Sequence, residues 1–190
     1  MCTILDYGLD SPARALLVLV LFMDDRQGQK AMNKLHFQKA LRYFEHLQQE
    51  KEIDFSNFKY GGVSFELQEN LEVLEEIGLV AKVGGKYVLT KEGEEIAKEL
   101  VPHYDEETLR KLRYAKHHLN DLTDRELLFF MYMTLPETRA HSIEFEKLKA
   151  EAENLTRKLF VKGRINARTA AEWLGIDEKE FLNSLAACGQ

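Results

Sequence analysis

The stretch Leu79-Val80-Ala81-Lys82-Val83-Gly84-Gly85-Lys86-Tyr87-Val88-Leu89-Thr90 carries the most fold information in this chain. Two short runs of strand-forming residues flank a Gly-Gly pair, the pattern of a tight β-hairpin. A lone hairpin is marginal in water, so it needs helices to pack on. The flanking sequence supplies them. Upstream, Ser64 can cap a helix with Leu67, Leu71, Leu74 and Ile77 facing inward, and Gly78 can close it. Downstream, Thr90 can cap a helix over Lys91–Leu100, with Pro102 beyond it. Further out, Ser11-Pro12 opens a first helix whose 15–23 stretch is apolar nearly all round, which predicts burial. Gly28 breaks the chain. A second helix is predicted over 30–49, with Phe37, Leu41, Phe44 and Leu47 inward and Lys34, Gln38, Lys39 and Arg42 outward. Residues 11–101 thus predict three helices, a hairpin and a helix, the order of a winged helix-turn-helix with an added helix.

Residues 102–142 read as a helical connector, with Leu109 and Leu112 inward and a capping box at Thr123-Asp124-Arg125-Glu126. Pro136 stops the helix that follows. Residues 143–190 form the third segment. A long helix is predicted from Ser142 or Ile143 to Gly163, with Phe145, Leu148, Ala152, Leu155 and Leu159 stepping like an a/d seam. Asn166 then caps a short helix, Gly175 turns the chain, and Asp177 caps a last helix. Ala171, Leu174, Gly175, Ile176 and Phe181 fall where a helix-turn-helix needs small, apolar and turn residues, although Ser184 stands at a later core position. The predicted fold class is mainly α: a winged helix-turn-helix with a two-stranded hairpin, plus a C-terminal helix-turn-helix.

Composition narrows the function classes. The 190 residues carry 26 Lys and Arg against 32 Asp and Glu, a net charge of −6, which argues against indiscriminate binding to nucleic acid or membranes. Cys2 and Cys188 are no disulfide framework, so a reducing compartment is the simpler reading. The longest apolar run is short of the roughly 20 residues that a membrane helix needs. Asp6 and Asp10 precede that run, unlike a signal peptide. The expectation is a cytoplasmic protein without a membrane partner. No metal-ligand spacing, phosphate loop or nucleophile-base pair is evident, so no cofactor, metal or catalytic residue is assigned and no enzyme activity is expected. His36, His46, His103, His117, His118 and His141 lack ligand spacing, and Asp24-Asp25 lacks a recognisable cation loop.

Two stretches resemble known families. Phe58-Lys59-Tyr60-Gly61-Gly62-Val63-Ser64, Glu66-Leu67, Leu74, Gly78-Leu79-Val80, Tyr87-Val88-Leu89-Thr90 and Gly93 resemble the SocA-like (Panacea) group and its archaeal relatives, with Gly62 where that group has Pro. Leu127-Leu128, Met131-Tyr132 and Leu135-Pro136-Glu137 are similar to the downstream segment of those archaeal proteins. The tail, with Lys162-Gly163-Arg164-Ile165, Ala170-Ala171-Glu172-Trp173-Leu174-Gly175-Ile176 and Phe181, resembles small prokaryotic antitoxin-type helix-turn-helix proteins. Together these resemblances imply a regulator or antitoxin role.

The leading expectation is a DNA-binding transcriptional regulator or antitoxin-like protein. Arg157, Lys158, Lys162, Arg164 and Arg168 lie in an acid-free basic stretch, residues 154–171, that leads directly into the helix-turn-helix and would grip phosphates of double-stranded DNA. Lys179 and Asn183 would face the bases. Against this stand Asp177, Glu178 and Glu180, and a purely structural helical pair is the competing reading. The alternative function is a protein-interaction module. Glu66, Glu69, Glu72 and Glu76, with Glu75, line the exposed face of the third helix, which would repel DNA and suit a basic partner. A third option is a homodimer through the 143–162 seam, against packing within its own chain. Arg26, Lys30, Lys34, Lys39 and Arg42 could touch phosphates or serve as solubilising charge, some of it paired with the acidic helix.

Overall fold

The computed structural model describes residues 7–58, 61–139 and 142–187. Cys2, Lys59, Tyr60, His141 and Cys188 lie outside them. Among the described residues ten α-helices make the fold mainly helical. The described chain divides into two compact units: one runs to Ser56 and resumes over Gly62–Leu122, the other holds Asn57–Gly61 and everything from Thr123 on. The predicted connector is therefore divided, its first helix belonging to the first unit and its second to the other.

The first unit is built around α1 (Pro12–Phe22). Every residue from Ala15 to Leu21 is buried, because no face of this helix is polar. Pro12 sits at the first helical position, but the Ser11 side chain makes no capping bond. The other helices wrap around α1: α2 (Lys34–Gln48), α3 (Phe65–Glu76), α4 (Lys91–Leu100) and α5 (Glu106–Leu119). Strands β1 (Ser56–Phe58) and β2 (Gly61–Val63) pair in one two-stranded sheet, β3 (Val80–Val83) and β4 (Lys86–Leu89) in another. The second sheet is the predicted hairpin, antiparallel, with Val80 opposite Leu89 and Val83 opposite Lys86. Gly84 and Gly85 turn at φ 59° and 78°, left-handed values that glycine adopts without strain. The outer edge of β4 is covered as well: Met32 N–H donates to Tyr87 O at 3.1 Å, and Tyr87 N–H to Met32 O at 2.7 Å. Gly93 permits the close docking of α4, since a Cβ there would stand 2.0 Å from the Leu79 carbonyl oxygen.

Several expectations for this unit need correction. Helix α2 begins at Lys34, not near residue 30, because Met32 is engaged with Tyr87 and Asn33 caps the helix by accepting from His36 N–H at 2.8 Å. Its supposed outer face is largely inside. Gln38 is buried and exchanges hydrogen bonds with the Ser64 backbone at 3.0 and 3.3 Å. Lys39 is buried and donates to Gly62 O at 2.6 Å. Arg42 reaches the buried Glu45 at 3.4 Å, leaving Lys34 as the exposed member of the four. Lys30 pairs with Glu94 of α4 at 2.8 Å rather than with α3. Ile77, expected inward, is 38% exposed where α3 ends.

The second unit starts at the Thr123 capping box, in which Thr123 and Glu126 satisfy each other's backbone amides. Helix α6 (Asp124–Thr134) buries Leu127, Phe129, Phe130, Met131 and Tyr132. The predicted long helix is broken into α7 (Ile143–Lys149) and α8 (Ala152–Val161). The charges suit that break: Lys147 and Lys149 sit at the C-terminal end of α7, Glu151 and Glu153 at the start of α8, each favourable to its helix dipole. Leu148, Leu155 and Leu159 are buried within the unit, so the seam packs against its own chain. Helices α9 (Ala167–Leu174) and α10 (Glu178–Ala187) follow as predicted. Asn166 caps α9 by accepting from Thr169 N–H, and Gly175 turns at φ 68°. Ala170, Ala171 and Phe181 form their core, with Phe160, Ile165 and Leu174 around it. Among the described residues no helix is long and apolar enough to cross a membrane.

Candidate functional site

The tail places its seven candidate DNA contacts very differently. Arg164 is 5% exposed and belongs to the interior; its side chain cannot reach a phosphate without unpacking. It had looked like a surface residue because Arg is seldom buried. Arg157 is held by Glu153 at 2.8 Å and by the Ser184 hydroxyl at 3.0 Å. Lys162 donates to the buried Glu126 carboxylate at 2.7 Å. Burial alone would raise the Glu126 carboxyl; Lys162 and Thr123 outweigh it and hold the group below its ordinary value. Arg168 pairs with Glu172 at 3.2 Å on an open surface, a contact worth little. Lys158, Lys179 and Asn183 are exposed. Lys179 stands between Glu178 and Glu180, and its own backbone amide donates to Asp177 at 2.8 Å. The acid-free run in sequence is thus not an acid-free surface in space.

Of the five glutamates expected on the exposed face of α3, three are exposed and two are half-buried. Ser64 caps the helix, and Leu67, Leu71 and Leu74 anchor it to the core. The opposite stripe is Phe65, Glu69, Glu72 and Glu76, all exposed, with Glu66 and Glu75 beside it half-buried. Phe65 is 55% exposed. Among the described residues no cation pairs with Glu69, Glu72, Glu75 or Glu76. The stripe is therefore negative and open, with an apolar side chain at each end.

Sequence reasoning missed the most unusual polar group. Lys116 of α5 is fully buried, and its ammonium donates to Val20 O at 2.8 Å, Met23 O at 2.6 Å and Lys30 O at 2.7 Å. Three acceptors match the three protons of the charged form. Two of these carbonyls come from the last turn and cap of α1, where a helix leaves acceptors unsatisfied and favours a cation. Desolvation pushes the amine down to about 7, against the pull of Asp25 and Asp24. Asp25 is buried too: its carboxylate accepts from the Gln27 and Gln29 amides and from Asn120. Burial raises its carboxyl, but these donors prevail and keep it below the ordinary range. Asp25 thus orders the 25–29 loop, and the described residues contain no cluster that could hold a metal ion. Heptad spacing could have found Lys116, since it lies four residues after Leu112 and three before Leu119, both buried.

The aromatic residues are largely structural. His118 stacks on Tyr114 at 5.1 Å and on Tyr43 at 5.7 Å, and Trp173 packs edge-on against Phe129 at 5.9 Å. His36 lies between Asn33 and Leu122 O, 2.8 Å from each. Comparison with protein-family models, curated proteins and solved structures gives no match to this chain.

Proposed function

We propose that the first unit is a winged-helix domain working as a protein-recognition module rather than an enzyme. In this reading α3, the helix that a winged helix ordinarily offers to DNA, instead holds a Lys- or Arg-rich segment of a protein partner, as an antitoxin or adaptor would. One observation carries the reading: the exposed stripe of Glu69, Glu72 and Glu76, paired with no cation among the described residues and headed by the exposed Phe65. DNA carries one negative charge per ~1.7 Å of axis and would be repelled by that stripe. A basic segment meets complementary charge along the helix, with Phe65 as an apolar anchor at one end. The resemblance to SocA-like proteins points the same way.

The test uses the full chain and a fluorescent Arg- and Lys-rich peptide, beside a labelled DNA duplex. The peptide should bind in a salt-sensitive way, and Glu69→Lys with Glu72→Lys should abolish binding while leaving the circular-dichroism melt intact. Unchanged peptide binding by the double variant would refute the reading.

A second reading, a DNA-binding regulator acting through α9 and α10, is favoured by the helix-turn-helix order of those elements and by exposed Lys158, Lys179 and Asn183. It requires that Lys158→Ala with Lys179→Ala weaken duplex binding and flatten its salt dependence. A duplex affinity indifferent to both changes removes it.

A further inference from the structure

A recess of about 610 Å³ opens in the first unit where the ends of α1 and α4 meet α5. Its apolar wall is Phe22 and Met23 from the end of α1, Val101 after α4, and Leu109 of α5. Leu109, Arg113 and His117 are spaced by four, so α5 presents them as one stripe along the recess. Lys30 and Asp24 complete the rim. Lys30 is already engaged, by Glu94 and by the face of the Phe22 ring 5.1 Å away. Arg113 and His117 have no hydrogen bond or ion pair among the described residues. Lys30 is thus neutralised by Glu94, and the oxygens of Asp25 are occupied by the amides and Asn120, which leaves Arg113 and His117 on the α5 side and Asp24 on the opposite side as the unengaged polar groups of the rim among the described residues.

We infer that this recess binds a small organic anion, its flat apolar body against Phe22, Val101 and Leu109 and its carboxylate or phosphate on Arg113 and His117. A guanidinium offers a planar fork of donors that fits either oxyanion in two-point fashion. Apolar walls with a few convergent polar groups are what a small-molecule site requires. Asp24 repels an anion placed beside it, so the charge of the ligand belongs on the α5 side. The wall includes Met23, whose carbonyl accepts from Lys116, so a bound ligand rests on the corner that this ammonium already fixes. None of this depends on the α3 surface, and the two proposals fail independently.

The test is an amide-resolved NMR titration of the full chain with 3-phenylpropionate, phenyl phosphate and the neutral 3-phenylpropanamide. The two anions should give saturable shifts confined to residues 22–30 and 101–117, and the neutral amide should give none. The tighter of the two anions tells a carboxylate ligand from a phosphate one. Arg113 is exposed, so Arg113→Ala should fold normally and bind the anions about tenfold more weakly. Equal response to the neutral amide, unchanged affinity in Arg113→Ala, or no saturable shift up to about 10 mM, the weak limit for ligands of this size, would overturn the inference.

Discussion

Replacing Lys116 by Met keeps the buried stem and deletes the ammonium that ties α1, the 23–30 loop and α5 together. Three carbonyls lose their donor: Val20, Met23 and Lys30. A buried acceptor left without a partner costs about 1–3 kcal/mol, so the gross loss is roughly 3–9 kcal/mol. Deleting a desolvated charge gives something back. The fall of the amine from 10.5 to about 7 puts that relief at no more than about 5 kcal/mol. Removing one member of a buried charged network usually costs about 3–5 kcal/mol overall. The expected outcome is a loss of about 2–4 kcal/mol at pH 7, read from urea unfolding with an unchanged slope. Linkage supplies a second reading. The folded amine titrates below the unfolded one, so between about pH 7 and 10.5 the unfolded chain holds the extra proton. Stability of the native sequence should therefore rise with pH across that window, relative to Lys116→Met, by up to about 1.4 kcal/mol per pH unit. A variant as stable as the native protein would refute the keystone role of the ammonium. A stability difference flat from pH 7 to 9 would show that the three carbonyls keep the proton on against desolvation.

Other substitutions probe the remaining construction. Gly93→Ala should destabilise the first unit by about 1–3 kcal/mol in thermal melts, because its methyl group meets the Leu79 carbonyl. Phe181→Ala should cost about 3–5 kcal/mol and loosen α10, visible as lost amide protection in hydrogen exchange. Arg164→Ala should destabilise the second unit by about 1–3 kcal/mol through lost packing, while Arg168→Ala should stay within about 0.5 kcal/mol. Equal effects of the two arginine changes in urea titration would contradict their different placement.

Features decided by neighbours in the chain were legible in the sequence. The Gly84-Gly85 turn, the Ser64, Thr90, Thr123 and Asn166 caps and the Gly175 turn each depend on backbone chemistry within a few residues. Features decided by distant backbone were not. Gln38 and Lys39 look like surface residues by type, yet they satisfy Ser64 and Gly62 carbonyls more than twenty residues away. Lys116 does the same for α1 across 96 residues. Apolar periodicity ran straight through residues 143–162, but it does not register the charge reversal that favours ending α7 and starting α8. The candidate sites divide along the same line. Glu69, Glu72 and Glu76 are exposed as glutamate usually is, while the basic tail dispersed once Arg164 turned inward and three of its neighbours found partners.

The all-apolar α1 also bears on how the protein is made. Its C-terminal carbonyls wait for a lysine 96 residues further on. At roughly 5–20 residues per second, a ribosome delivers that lysine about 5–20 seconds after it delivers Val20. During this interval α1 is a greasy segment with no finished shelter. The α1 end is therefore completed late in synthesis, and slow codons between α1 and α5 would lengthen the interval before its carbonyls find their donor.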